Sequence, residues 1–545
     1  MNITYQLGKY QSAVDEGLQL LAAQKIIARI WEHDHTVWKA EPTEITNRLG
    51  WLRIDEAMRP DIERMQAFTA DLLAQGYTDA VVLGMGGSSL APEVFSRTYE
   101  NSNGLRLQIL DSTDPGVVLE RERSFDLKKT LFIVATKSGG TAETLSAFKY
   151  FYNRLVDSVG RQHTGEHFVA ITDPGSKLVD LAKLYKFQDI FLNEPNIGGR
   201  YSALSFFGLL PASLSGVQLP RLIANASDMS ATCGPQIQAQ NNPAAVLGTV
   251  LGQFAKAGKD KITFTASPAI ANFPNWVEQL IAESTGKEGK GILPVVGEAL
   301  GKPKDYGNDR LFVHLQVGDD PTHRAALKGL ADVGYPVVRI HLETIYDLGG
   351  QFLLWELATA VAGYFLQINP FDQPNVESAK VLARQMVSAY TESGELPAGE
   401  YSTPSAAALT EFLAQSHPGD YVALQAYLNP TPEVETALTE LRLGIRDTYK
   451  VATTLGFGPR FLHSTGQLHK GDRGNGLFIQ FVSDAEQDLP IPDEAGASAS
   501  AMSFDTLKKA QALGDAQALR DAGRRVIVFE VGASPAVLIS SLGNG

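Results

Sequence analysis

Short apolar, β-branched runs, each followed by a Gly/Ser/Thr/Pro loop and a helix-length stretch, constrain this chain more than any other feature. From Asp79 onward they are AVVLG (80–84), LRLQIL (105–110), TLFIVAT (130–136), HFVAIT (167–172) and DIFLN (189–193). A strand that is apolar on both faces needs cover on both, so such runs predict a parallel sheet with helices packed on either side. The fold class is α/β, doubly wound. A second series, KITFTAS (261–267), RLFVHLQV (310–317) and PVVRIHL (336–342), repeats the theme before an apolar helix at 352–368. Two successive arrays predict two sheets of related type joined by a helical bridge around 200–258.

The flanks read differently. Tyr10 to Trp38 carries Leu18, Leu20, Leu21, Ile26, Ile27, Ile30 and Trp31 at helical spacing. After Lys380 a Pro-punctuated segment reads as helical to about Lys450. A loop with a strand follows (FLHSTGQLHKGDRGNGLFIQFV), then a helix (DTLKKAQALGDAQALRDAG) and a strand (RRVIVFEV). Between them the Pro/Ala/Ser/Gly run from Leu489 to Ala501 is expected to be a flexible loop. The 545 residues thus divide into an N-terminal helical segment (1–74), a first α/β domain (75–240), a second (241–380) and a C-terminal α/β extension (381–545) expected to pack on the second domain.

Composition narrows the partners. The formal net charge is −14 and the sequence pI about 5.3, so the surface field repels nucleic acid and anionic membranes. A small anion then needs a local pocket of backbone N–H groups and basic side chains. Cys233 is the only cysteine, which excludes an intrachain disulfide and a cysteine-rich metal site. The first residues lack a leader pattern, and the apolar stretch 352–368 is interrupted by Glu356 and falls short of the ~20 residues that span a bilayer. A cytoplasmic location is expected.

Four segments carry residues suited to chemistry. In VVLGMGGSSLAPEVF, Gly84, Gly86, Gly87, Ser88 and Ser89 follow a strand and precede a helix, where free N–H groups and the helix dipole can hold an anion. Tight packing explains the same glycines equally well. In VATKSGGTAETLSAF, the side chains of Thr136, Lys137, Ser138 and Thr141 gather donors suited to a phosphomonoester. In NIGGRYSALSFFG, Arg200 follows two glycines, where a guanidinium can meet a developing oxyanion; an ordinary ion pair is the plainer alternative. In FPNWVEQLIAESTGKEGKGILPV, Glu283 ends a helix, a position that disfavours the charged carboxylate and suits a general base, although a solvated glutamate fits as well.

Taken together with INPFDQPNVESAK (368–380), these segments occur in the order and kinds found in phosphoglucose isomerases, which the chain strongly resembles over roughly residues 75 to 380. The resemblance implies two sugar isomerase (SIS) type domains and an aldose–ketose isomerase acting on glucose 6-phosphate and fructose 6-phosphate through a cis-enediol(ate), in glycolysis and gluconeogenesis, with no metal or organic cofactor. It implies that Gly87 and Ser88 contact the sugar phosphate, that Thr136, Lys137, Ser138 and Thr141 form the phosphate loop, and that Gln373 lines the site. Arg200 would stabilise the enediolate, Glu283 would carry the proton between C2 and C1, and Lys380 would help open the ring. Family members hold a ring-opening histidine shortly after the ESxGK glutamate. Here the matching LHSxGQ pattern lies far downstream in FLHSTGQLHKG, which makes His463 the candidate and His469 its alternative. A homodimer is expected by resemblance. Competing expectations are an isomerase for another phosphosugar, such as mannose 6-phosphate, and a non-catalytic sugar-phosphate sensor. The long tail also resembles the isomerase part of transaldolase/phosphoglucose isomerase fusion proteins. The residues before 75 are too few for an aldolase-type barrel, which needs about 200, so no transaldolase activity is expected of this chain.

Overall fold

The computed structural model describes residues 2–99 and 103–543, and its framework is three mainly parallel sheets, one of them in the C-terminal α/β extension. The first has the order β3-β2-β4-β5-β6, built from β2 (Asp79–Gly84), β3 (Arg106–Leu110), β4 (Thr130–Ala135), β5 (Phe168–Thr172) and β6 (Asp189–Leu192), all parallel. Every residue of β2, β4 and β5 is buried, as continuous apolar runs require. Gly84 pairs with Ala135, so the loops leaving β2 and β4 emerge side by side. The chain leaves β2 toward β3 and crosses back to β4, and this reversal opens a crevice at the carboxyl ends of the strands.

The second sheet runs β1-β10-β9-β7-β8, with β7 (Lys261–Ala266), β8 (Leu293–Val295), β9 (Arg310–Val317) and β10 (Val337–Leu342) parallel. Its edge is β1 (Asn2–Gln6), antiparallel to β10 and drawn from the segment read as helical. The bridge consists of helices Phe206–Leu214, Leu219–Thr232 and Pro243–Lys256. The helix Leu348–Leu366 is buried almost throughout. No helix among the described residues is long and apolar enough to cross a membrane.

The third sheet departs from expectation. Its order is β12-β11-β13-β16, all parallel, from β11 (Tyr421–Tyr427), β12 (Ala452–Phe457), β13 (Gly476–Val482) and β16 (Arg525–Glu530). The strand β11 lies where the sequence reads as helix, because Ala423, Gln425 and Ala426 dilute its β-branched signal. All seven of its residues are nonetheless buried, and Gln425 finds partners in Gln480 and His469.

The run from Leu489 to Ala501 is not a free loop. Leu489, Ile491 and Ala495 join the core on one face of the first sheet, and β14 (Pro490–Ile491) pairs with β15 (Met502–Ser503). Lys149 Nζ donates to Asp493 O at 2.7 Å and Asn153 Nδ2 to Ala497 O at 2.6 Å, both from the helix Ala142–Val159. Small residues let this arm lie flat on that helix, and its backbone carbonyls take the hydrogen bonds. The C-terminal segment therefore packs on the first sheet through this arm, and on the second through Tyr421, Ala423 and Phe478 against Ala282, Leu293 and Val295.

Candidate active site

Glycines bring the walls of the crevice together. A Cβ on Gly87 would lie 1.9 Å from Gly199 O, so the GMGGSS loop can meet the GGRYS turn only without a side chain there. Gly86 has φ of 55°, and a Cβ on it would lie 2.7 Å from His463 O and 2.8 Å from Gln279 Nε2. The two glycines thus juxtapose the first loop, the arginine turn, the Glu283 helix and the histidine segment. Ser88 follows them, partly buried.

Arg200 is 1% exposed, and a buried guanidinium must have its N–H groups satisfied. Nε donates to Ser284 Oγ at 2.7 Å, Nη2 to Pro370 O at 2.7 Å and to Asp372 O at 2.9 Å, and Nη1 to Gln373 Oε1 at 3.0 Å. Nη1 also lies 3.2 Å from Glu283 Oε1. Glu283 stands in the last turn of the helix Phe273–Thr285, and its Oε2 accepts from Gln279 Nε2 at 3.0 Å. Lys287, four residues on, is buried with Nζ 2.7 Å from Asp372 Oδ1. Burial and the neighbouring Arg200 lower its ammonium to about 8, against the opposing pull of Asp372. The FDQ turn is thereby clamped by two cations, and it presents Gln373 beside Arg200.

The second loop gathers hydroxyls at a helix N-terminus. Thr136 is buried, with Oγ1 2.8 Å from Thr141 Oγ1, and Thr141 caps the Ala142–Val159 helix with extended backbone, so the first N–H groups of that helix open toward the loop. Ser138 Oγ accepts from Gly140 N at 3.4 Å. Lys137 behaves differently: its ammonium pairs with Asp173 and donates to Pro195 O at 2.9 Å. Its charge is already balanced, which leaves hydroxyls and helix N–H groups as the free donors of this loop.

His463 reaches the same crevice from the third sheet. Its Nε2 donates to Glu143 Oε1 at 2.9 Å, and that carboxylate also accepts from Gln511 Nε2 at 2.7 Å. Burial alone would raise the Glu143 carboxyl, but the contact and hydrogen bond with His463 outweigh it and hold the group below its ordinary value. Lys380, exposed on the helix Val376–Ser393, adds to that stabilisation from farther off. Gln279 Nε2 joins the two ends of the site, donating to Glu283 and, at 2.8 Å, to His463 O.

His469, the alternative, stands away from Glu143 and Glu283 in the packing of the third sheet. It is buried between Tyr421, Phe461 and Phe478, with Nδ1 3.2 Å from Gln425 Nε2. Burial first, and then Lys470 and Arg524, lower its imidazole well below the usual range, so it stays neutral inside the third sheet. Glu143, Gln279, Lys287, Asp372 and Gln511 were missed from the sequence. Gln279 was legible as the residue one helical turn before Glu283, and Glu143 as the acidic residue opening the TAET helix. Gln511 carries no local signal.

A family model described as phosphoglucose isomerase matches residues 54–292, which include the GMGGSS, TKSGGT, GGRYS and ESTGK segments. The glucose-6-phosphate isomerase of Parabacteroides distasonis is 28% identical over 385 residues, covering 61% of this chain and 85% of the relative. That of Thermus thermophilus is 27% identical over 395 residues, covering 64% and 92%. Among solved structures, a hypothetical protein from Thermus thermophilus matches with a TM-score of 0.61 at 23% identity, over 71% of this chain and all of that one. A glucose-6-phosphate isomerase from Chlamydia trachomatis matches with a TM-score of 0.60 at 19% identity, over 72% and 89%. These two structures share the fold. Over residues 54–292, which hold four of the segments that build the crevice, the chain is similar to phosphoglucose isomerases.

Proposed function

We propose that this chain interconverts glucose 6-phosphate and fructose 6-phosphate as an aldose–ketose isomerase. The observation that carries it is a carboxylate against a buried guanidinium, Glu283 and Arg200 at 3.2 Å, in one crevice with the carboxylate-bound imidazole of His463. The substrate phosphate binds at Ser88, Thr136, Ser138 and Thr141, beside the N-terminus of the Ala142–Val159 helix. His463, oriented by Glu143 and assisted by Lys380, passes a proton to the ring oxygen as the pyranose opens. Glu283 then takes the C2 proton, giving a cis-enediol(ate) whose oxygen charge Arg200 balances, and returns that proton to C1. The substrate's own carbonyl acidifies the C–H bond.

The curated relatives named above carry this activity in their names, and the family model matches the range that holds the two glycine loops, Arg200 and Glu283. The same reading makes the working unit a cytoplasmic homodimer, akin to the isomerase part of transaldolase fusion proteins, with sedimentation as the check on the dimer. The activity is tested by coupling glucose 6-phosphate formation from fructose 6-phosphate to NADP reduction by glucose-6-phosphate dehydrogenase, with fructose 6-phosphate formation from mannose 6-phosphate followed separately by ³¹P NMR. Turnover of fructose 6-phosphate is expected. Turnover of mannose 6-phosphate alone would replace this substrate assignment.

A further inference from the structure

We propose that Arg460 is a positioning residue for His463, a single guanidinium that fixes the histidine-bearing turn of the third sheet to the first sheet. The inference rests on His463 as the ring-opening group. Arg460 to His463 is one tight 3₁₀ turn after β12, and residues three apart in such a turn lie on the same side. His463 reaches Glu143 from one end of the turn. From the other end, Arg460 pairs with Glu93 of the helix Leu90–Thr98 and lies 3.2 Å from Oδ2 of Asp111, just past the end of β3. Neither carboxylate has a part in the reaction.

The electrostatics make this tether strong. Burial raises the Asp111 carboxyl, and nearby Glu93 raises it further, so the two acids are costly together without a cation between them. Arg460 holds Glu93 below its ordinary value despite burial. Removing the guanidinium leaves Glu93 and Asp111 repelling each other, with Arg121 and, for Glu93, Arg97 as the other cations that act on them. Besides the Glu143 bond and the packing of Phe461 on Tyr427 and His469, the turn is held through His463 O, which accepts from Gln279. Behind the turn lies a cleft of about 1030 Å³ lined by Arg460, Glu93, Asp111, Glu278 and Ser464, room into which an untethered turn can move.

The test uses the full chain labelled with ¹⁵N-histidine. In the substrate-free wild type, the Nε2–H of His463 donating to Glu143 gives a downfield ring proton, assigned by its loss in His463→Ala. Arg460→Met is expected to shift or broaden that signal and to slow glucose 6-phosphate turnover about 10-fold or more, the usual scale for a displaced acid–base group. Deuterium exchange at C2 of erythrose 4-phosphate, which cannot close a ring and needs only Glu283, is expected to stay within about 2-fold. Arg460→Lys restores part of the signal. An unchanged histidine signal, or an equal loss on both substrates, would overturn the proposal. The signal is read without substrate, so a wild type inactive on glucose 6-phosphate counts against the proposed function alone.

Discussion

The two ends of the crevice are held by different means. At the Glu283 end, helix, arginine turn and FDQ turn interlock through backbone carbonyls: Pro370 O and Asp372 O accept from Arg200, and Asp372 pairs with Lys287. At the other end, His463 stands 320 residues along the chain from its carboxylate partner Glu143 and depends on contacts that cross from the third sheet to the first. At that end two cations share the FDQ turn, so the loss of Lys287 leaves the bonds of Arg200 in place. An end delivered from elsewhere depends on its tethers.

Substitutions at the two ends should separate along that line. Glu283→Gln removes the proton carrier and is expected to lower kcat about 10³-fold or more with KM little changed, as measured in the coupled assay. A comparable loss in KM instead would make Glu283 a binding residue. His463→Ala is expected to cost about 10²-fold on ring-closed substrate, whereas His469→Ala should leave kcat per folded molecule within about 2-fold and lower the melting temperature, because it empties a packed site between aromatic rings. Equal losses from the two histidines would erase the distinction. Glu143→Gln keeps the shape but weakens the hold on His463, and a loss of about 10-fold is expected.

The smallest effect lies outside both ends. Burial pushes Glu278, in the wall of the cleft, up to about 7, against the pull of Arg442 and Arg460. Between its ordinary value and about 7 the folded chain therefore binds more protons at this site than the unfolded chain, so its contribution to stability falls as pH rises through that window. Glu278→Gln should raise the melting temperature at pH 8, by on the order of 1–3 kcal/mol in stability, and change little at pH 4. The opposite sign would show that its charged form is favoured in the fold.

Much of the Glu283 end was legible in the sequence. Its segments are short, contiguous and glycine-punctuated, and each positions its own side chains, as Arg200 after two glycines and Glu283 at a helix end show. The first two sheets were legible for the same reason, since continuous apolar strands announce themselves. The third sheet was half hidden: β11 carries Gln425 and two alanines, and its polar residue is satisfied only by β13 and His469, partners that no local window contains. The environments of His463 and His469 differ through long-range packing, which no local window contains. The docked arm 489–501 was read as flexible because its small residues resemble a linker until the helix they cover is in place.

Deuterium labelling tests the central claim, that Glu283 carries a proton between C2 and C1, most directly. With glucose 6-phosphate deuterated at C2, in H₂O, the wild type should form fructose 6-phosphate that keeps at C1 the part of the deuterium that does not exchange with solvent on Glu283, while Glu283→Gln forms neither product nor label. Undiminished product and label from Glu283→Gln would contradict the account.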